Sequence, residues 1–345
     1  MPATAEPRVA LYFDFDNIVI SRYDQLHGDS SYRKDTSRTK APAAGTKTAE
    51  RLAEATVDID AVLDFAATFG TIAIARAYAD WSTPVNASYR GQLIDRAVDL
   101  VQLFPLSATK NGADIRLSVD AVEDMFRIDD LSHIVIVAGD SDYVALAQKA
   151  RRLGRYVVGI GVAGGTSRAL TAACDEYADY DALLSTDAAV AADEAANEPA
   201  AAPAPEAARG RRSARGAKAK ATDVAADAVA EGTAGSTEPD AAPAKAAKRT
   251  PAPVVFSDGS DVAPVSGNRN PSRLLLKALE LLRAKNDEEW QPSGAVKNQM
   301  LRMDPSFQER RLGFGSFTDF VKSRGGVVEL DESGMNRIRV RPSKG

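Results

Sequence analysis

Three short segments of this 345-residue sequence carry aspartates in positions where they could act together. Asp14 and Asp16 follow the apolar run Val9–Phe13, in YFDFDN. Asp140 and Asp142 follow His133–Ala138 (HIVIVA), in AGDSD. Asp114 comes after the turn beyond Val98–Phe104, in KNGAD, where it opens a helical stretch. Open α/β sheets bind ligands outside the carboxyl ends of their strands, so one sheet edge would gather these acids from distant parts of the chain. Carboxylates brought together repel each other. A divalent cation removes that cost, and hard oxygen donors suit Mg2+ or Mn2+. Such a site activates water and stabilises an in-line phosphoryl transition state.

Each acid also has a purely structural role open to it. Asp142 and Asp114 are good N-caps for the helices that follow them. Asp16 could face solvent or cap a loop. Asp120, six residues beyond Asp114, would sit about 120° round the helix from it, away from a site that Asp114 faces. Asp175 and Glu176 could form a fourth acidic corner or simply belong to an exposed loop. Cys174 beside them reads as a small buried residue. As the single cysteine, it excludes an intrachain disulfide and a cysteine metal cluster. With only His27 and His133 available, zinc would depend on carboxylates.

The elements that must position these acids alternate along the chain. Strands are expected at Val9–Phe13, Thr71–Tyr78, Val98–Phe104, His133–Ala138 and Tyr156–Val162. Helices are expected at Ile59–Phe69 (stopping at Gly70), Ser88–Arg96, Asp114–Phe126, Asp142–Leu153 and Thr166–Ala173. In Asp114–Phe126 the apolar positions 115, 119, 122 and 126 mark the helical period. Such βαβ alternation implies a parallel sheet flanked by helices. Leu26–Thr48 interrupts the pattern. It is polar and basic, with Arg33, Lys34, Arg38, Lys40 and Lys47, and is expected to be a mobile loop beside the acidic edge.

Residues 1–185 therefore read as one α/β domain, 186–268 as a disordered linker and 269–345 as a small α+β domain. The linker is Ala, Pro and charge, too poor in large apolar groups to offset its conformational entropy. It holds a basic cluster from Arg209 to Lys220. In the last segment Ser272 would cap a leucine-rich helix, Ser293–Leu301 and Ser316–Ser323 read as helices, and Val327–Leu330 pairs with Arg337–Val340 around Gly334. Three helices and a terminal hairpin suggest a winged helix. Lys plus Arg against Asp plus Glu number 19 and 26 in residues 1–185, 9 and 12 in the linker, and 15 and 10 in the last segment. The net charges are thus -7, -3 and +5, summing to -5. A basic domain suits a polyanion, while an acidic one handling a polyanion needs metal ions or a local basic rim. No run of about 18 apolar residues reads as a membrane span, and the N-terminus lacks a secretory pattern, so a cytoplasmic setting is expected.

Taken together, the motifs resemble the NYN family, nucleases of the PIN-like fold. The matching pieces are Asp14-Phe15-Asp16-Asn17, Lys110-Asn111-Gly112-Ala113-Asp114 with Leu117 and Asp120, and Ala138-Gly139-Asp140-Ser141-Asp142-Tyr143. Leu153-Gly154-Arg155 and Cys174-Asp175-Glu176-Tyr177 complete them. The resemblance covers residues 8–184 and implies a PIN-like, Rossmannoid sheet and an RNA phosphodiesterase that uses Mg2+ or Mn2+. By the same resemblance Asp14, Asp114, Asp140 and Asp142 are the catalytic and metal-binding acids. Asn17 is the polar residue that completes the first motif, and Lys110 is a candidate contact to nucleic acid. The chain departs from the pattern in its insert after the first strand and at Ala138, where the family often has Ser.

The last segment resembles the LOTUS, or OST-HTH, domain, on Leu312-Gly313-Phe314-Gly315-Ser316-Phe317-Thr318-Asp319-Phe320 with Trp290-Gln291-Pro292 before it. That resemblance implies RNA binding, or protein contacts as in some members. Phe314, Phe317 and Phe320 recur at helical spacing and read as core. Arg310, Arg311, Lys322 and Arg324 are the candidates for phosphate contacts. The expected partner is RNA, without membrane. A protein partner for the C-terminal domain and self-association stay open.

Two alternatives remain at this point. A catalytically silent scaffold could keep the acids and bind RNA through its basic end. A haloacid-dehalogenase-type phosphatase would use Asp14-x-Asp16 as its nucleophile motif. Ile18 stands where that family has Thr or Val, and Asp142 comes too early for its late acidic motif.

Overall fold

The structure is a computed structural model that describes residues 6–104, 112–185, 270–331 and 336–342. β1 (Arg8–Asp14) is the sheet's central strand and is apolar on both faces, as strands covered on both sides must be. Its alternation splits the core. Val9, Leu11 and Phe13 join one apolar layer, Ala10 and Tyr12 the other. From β1 the chain runs through α1 (Phe15–His27), α2 (Ser31–Asp35), α3 (Lys47–Glu54) and α4 (Ile59–Ala66) to β2 (Thr71–Ala79). α5 (Pro84–Ala87) and α6 (Arg90–Asp95) lead to β3 (Asp99–Gln102), and α7 (Gly112–Arg127) to β4 (Leu131–Val137). A 3-10 turn (Ser141–Tyr143), α8 (Val144–Arg152), β5 (Tyr156–Gly161), α9 (Arg168–Ala173) and β6 (Glu176–Asp179) follow. All six strands pair parallel, in the order β3-β2-β1-β4-β5-β6. Strand order reverses between β1 and β4, so the ligand crevice of this topology lies outside their carboxyl ends.

Several expectations change. The insert is partly helical: α2 lies within it and α3 begins at its end, with residues 36–46 between them in no regular element. Tyr23 Oη and Arg51 both donate to Asp35, at 2.8 and 2.6 Å, and tie the insert to α1. α7 turns a different face inward from the one its best apolar spacing marks. Leu117, Ala121, Asp124 and Met125 are buried, whereas Ile115, Val119 and Phe126 face solvent. Asp124 survives burial because Tyr12 Oη donates to it at 2.9 Å and Arg76 pairs with it. One turn earlier, Tyr78 Oη donates to Asp120 at 3.1 Å. Gly70 is required less as a helix stop than for close approach, since a Cβ there would stand 2.1 Å from the carbonyl oxygen of Pro7.

The C-terminal part holds α10 (Pro271–Asn286), α11 (Ser293–Met303) and α12 (Phe317–Lys322). Its antiparallel sheet runs β7-β9-β8, from β7 (Gln291–Pro292), β8 (Val328–Leu330) and β9 (Arg337–Val340). Asn270, not Ser272, caps α10: its side chain accepts from the Ser272 N–H at 3.0 Å, with Pro271 opening the helix. Phe317 and Phe320 are buried and Phe314 packs against them, as their spacing suggests. The expected linker and Lys110 lie outside the described residues.

The described residues on both sides of that linker form one compact unit. Lys277 Nζ pairs with the fully buried Asp64 at 3.1 Å. Lys285 donates to the Thr68 carbonyl at 2.9 Å and lies over the Phe69 ring, and Arg302 meets Glu6 at 2.9 Å. These N-terminal partners sit at or near the amino ends of the strands, opposite the crevice. The C-terminal part is thus docked against the N-terminal part among the described residues.

Candidate active site

Asp14 ends β1 and is almost wholly buried. One carboxylate oxygen accepts from the Asn17 N–H at 3.1 Å, so the same side chain caps α1. The other accepts from the buried Tyr143 hydroxyl at 2.8 Å. Burial pushes Asp14 up to about 7, against the pull of those two hydrogen bonds, and the charges of Asp114 and Asp16 add to the rise. Asp114 lies in the first turn of α7 and also shares the Tyr143 hydroxyl. It too is raised, by burial first and then by the negative charges of Asp142 and Asp140. Asp114 therefore links the acids from the ends of β1 and β4. Tyr143, enclosed and facing two carboxylates, is held far above its ordinary value and stays a neutral donor.

Asp140, rather than Asp142, caps the turn after β4, accepting from the Asp142 N–H at 3.3 Å. Asp142 is exposed at the rim. Asn17 joins the two strand ends by accepting from the Gly139 N–H at 3.2 Å. Gly139 allows this packing, because a Cβ there would stand 2.9 Å from the Gly165 carbonyl oxygen.

A second polar group borders the first. Asp16 is half-buried, and its oxygens accept from Asn86 Nδ2 at 2.6 Å and from the Asp80 N–H at 3.2 Å. It is therefore a loop anchor rather than a solvent-facing acid. Burial raises it, opposed by those hydrogen bonds. Asp80 follows β2. Burial pushes it up, but hydrogen bonds from Ser82 and Gln102 outweigh this and hold it below the usual range. Arg38, from the insert, lowers both acids through its charge and is the basic rim on this side.

The Asp80–Asn86 pair was not singled out from sequence, and Tyr143 stood in the matched motif without a role. Asp80 had a usable signal, an acid immediately after a strand. Tyr143 had none, since a phenol carries no charge pattern. Asp175 and Glu176 do not form a fourth corner. They begin β6 at the amino end of the sheet, where Asp175 accepts from the Val157 N–H at 2.9 Å and pairs with Arg151. Cys174 is buried.

The donor set at the β1/β4 crevice is all hard oxygen, and its crowding of negative charge suits a divalent cation. Among the described residues no three Asp, Glu, His or Cys side chains stand close enough to hold an ion. The Tyr143 hydroxyl bonds Asp14 and Asp114, while backbone N–H groups of Asn17 and Asp142 engage Asp14 and Asp140.

The NYN domain model matches residues 8–183, just over half of the sequence. The chain belongs to the NYN domain family. Residues 271–340 match the OST-HTH/LOTUS domain. The NYN assignment displaces the phosphatase alternative. An uncharacterized protein of Methanocaldococcus jannaschii is 29% identical over 122 residues, covering 35% of this chain and 47% of its own length. The chain thus spans about half of that curated relative. A crystal structure of a protein of unknown function from Vibrio parahaemolyticus matches 52% of this chain and 96% of its own, at 18% identity and a TM-score of 0.39.

In the OST-HTH/LOTUS domain Arg310 and Arg311 are exposed on a 3-10 turn (Glu309–Leu312) and Lys322 is exposed at the end of α12. Arg324 differs from its expected role, for it is half-buried with its guanidinium over the Phe320 ring at 5.5 Å. No helix among the described residues is long and apolar enough to cross a membrane.

Proposed function

We propose that this NYN protein is a cytoplasmic, metal-dependent ribonuclease whose C-terminal domain binds the RNA. The observation that carries this is the meeting of Asp14 and Asp114 at one buried hydroxyl, with Asp140 and Asp142 charging the same spot. Asp14, Asp114, Asp140 and Asp142 would hold Mg2+ or Mn2+, which when bound supplies an activated water and charge neutralisation for phosphodiester hydrolysis. The chain's own residues prepare that chemistry. Tyr143 holds Asp14 and Asp114 together through its one buried hydroxyl. Asn17 fixes the β4 end against the β1 end. The rim Arg38 offers phosphate a positive charge beside an otherwise acidic crevice. In the C-terminal domain Arg310, Arg311 and Lys322 are the exposed cations suited to phosphate.

The test is cleavage of a labelled single-stranded RNA with and without Mg2+ or Mn2+, comparing wild type with Asp14→Asn, Asp114→Asn and Asp140→Asn. Activity should require the cation and vanish in each variant. Cleavage that survives both Asp14→Asn and Asp140→Asn overturns the site. RNA binding with no cleavage under any cation would favour the silent scaffold. Replacing Arg310 and Arg311 together by Ala should weaken RNA binding and flatten its salt dependence. Unchanged affinity and slope would remove the RNA role of that surface.

A further inference from the structure

α7 is apolar on two opposite sides. Its inner side carries Leu117, Ala121 and Met125 into the core. Ile115 lies about 160° round the helix from Leu117. Ile115, Val119 and Phe126 are 61%, 58% and 64% exposed, and Val122 is half-buried between them. These four occupy positions i, i+4, i+7 and i+11, within about 60° of arc, so they form one continuous stripe. Single exposed apolar residues are ordinary on protein surfaces, but a contiguous stripe marks an interaction surface. Val122 also packs against the core at one edge, but no part of the described chain covers Ile115, Val119 and Phe126. Spacings of four, three and four are those of a coiled-coil seam, whose natural partner is another helix.

We propose that this stripe is a dimer interface, in which α7 packs antiparallel against α7 of a second copy of the chain. The stripe is nearly symmetric about its own midpoint, as a two-fold contact requires. Antiparallel pairing about that midpoint sets Ile115 opposite Phe126 of the partner subunit and Val119 opposite Val122 of the partner subunit, large against large and small against small. The flanks choose the same partner. One flank carries Arg116 and Glu123, largely exposed and paired within the helix only to Asp120 and Arg127 at i, i+4. The two-fold brings Arg116 beside Glu123 of the partner subunit, and Glu123 beside Arg116 of the partner subunit. The other flank carries Ser118, small enough to let the helices approach. Two such faces cover on the order of 1,000 Å2 in total, the lower end for a specific contact, so the dimer forms and dissociates with concentration. The inference is independent of the proposed nuclease activity.

Sedimentation velocity on the full chain, from roughly 1 μM to 1 mM, should show a monomer–dimer equilibrium. Val119→Asp should shift it towards monomer by at least about tenfold, the loss expected for a charge buried in an apolar seam. Its melting temperature should match wild type, since Val119 faces solvent in the monomer. Arg116→Glu should likewise weaken the dimer, and Arg116→Glu with Glu123→Arg should restore it. A monomer throughout the range overturns the proposal, as does a dimer indifferent to Val119→Asp and to the charge reversal. Should Val119→Asp lower the melting temperature, the charge-reversal pair alone decides.

Discussion

Replacing Asp14 by Asn should make the protein more stable while removing its proposed activity. Asp14 is buried, and its carboxyl is displaced from an ordinary 3.8 to about 7, chiefly by burial. That displacement, about three pH units, corresponds to about 4 kcal/mol at 1.36 kcal/mol per unit. Between those two values the folded chain binds more protons than the unfolded one, so wild-type stability falls as pH rises from about 4 to about 7. Above about 7 the whole cost is present. Asn carries no charge and should lose this slope. It keeps an oxygen for the Asn17 N–H or the Tyr143 hydroxyl, which offsets part of the gain. Relaxation around the site takes up more, leaving an expected advantage of about 1 to 3 kcal/mol for Asp14→Asn at pH 8 in chelator, and none near pH 4. Urea midpoints at pH 5, 6, 7 and 8 measure it. Mg2+ should raise the wild-type midpoint at pH 8 and leave Asp14→Asn unchanged. A variant less stable than wild type at pH 8, with the same pH slope, refutes the account of Asp14 as a strained anion.

Tyr143→Phe deletes the hydroxyl that Asp14 and Asp114 share. Fold should be retained, cleavage should fall about 10- to 100-fold, and the Mg2+ concentration for half activity should change, as titration of cleavage against Mg2+ would show. Gly139→Ala places a methyl 2.9 Å from the Gly165 carbonyl. It should cost about 1 to 3 kcal/mol in urea unfolding and displace Asp140, lowering turnover more than RNA affinity. Lys277→Met removes one cationic partner of the buried Asp64, leaving Arg96, and should destabilise the chain by about 1 to 3 kcal/mol. Lys277→Met combined with Asp64→Leu should recover most of that in the same denaturation assay.

Much of the fold was legible because strand and helix periods alternate along the first 185 residues, and that alternation admits few topologies. The acids at the ends of β1 and β4 were legible for the same reason, since a strand that ends in Asp announces which sheet edge it faces. α7 was legible as a helix, but the spacing that marks it does not mark the face that packs inward. What packs inward includes Asp124, which a sequence rule places in water. The donors that make its burial tolerable, Tyr12 and Arg76, come from β1 and β2. The insert was legible only in part: residues 36–46 are irregular, as its polarity suggested, but α2 forms within it, and Asp35 is held by Tyr23 of α1 and Arg51 of α3, which the local sequence does not show. The role of Tyr143, though it stood in the matched motif, was not legible because it depends on two carboxylates more than 25 residues away in sequence.

The Lys277–Asp64 pair also bears on inheritance. Many two-domain chains arise by joining parts that fold alone, and such parts can be exchanged among lineages without repair. Asp64 also meets Arg96 of its own half at 3.4 Å, so an exchange would take from it one of its cationic neighbours, and would take Asp64 from the buried Lys277. The two halves can therefore diverge only in step at these positions. Among descendants of the same fusion, residues 64 and 277 should change together, to an apolar pair or to a reversed one, and a cut-and-paste relative should betray itself by a mismatch there.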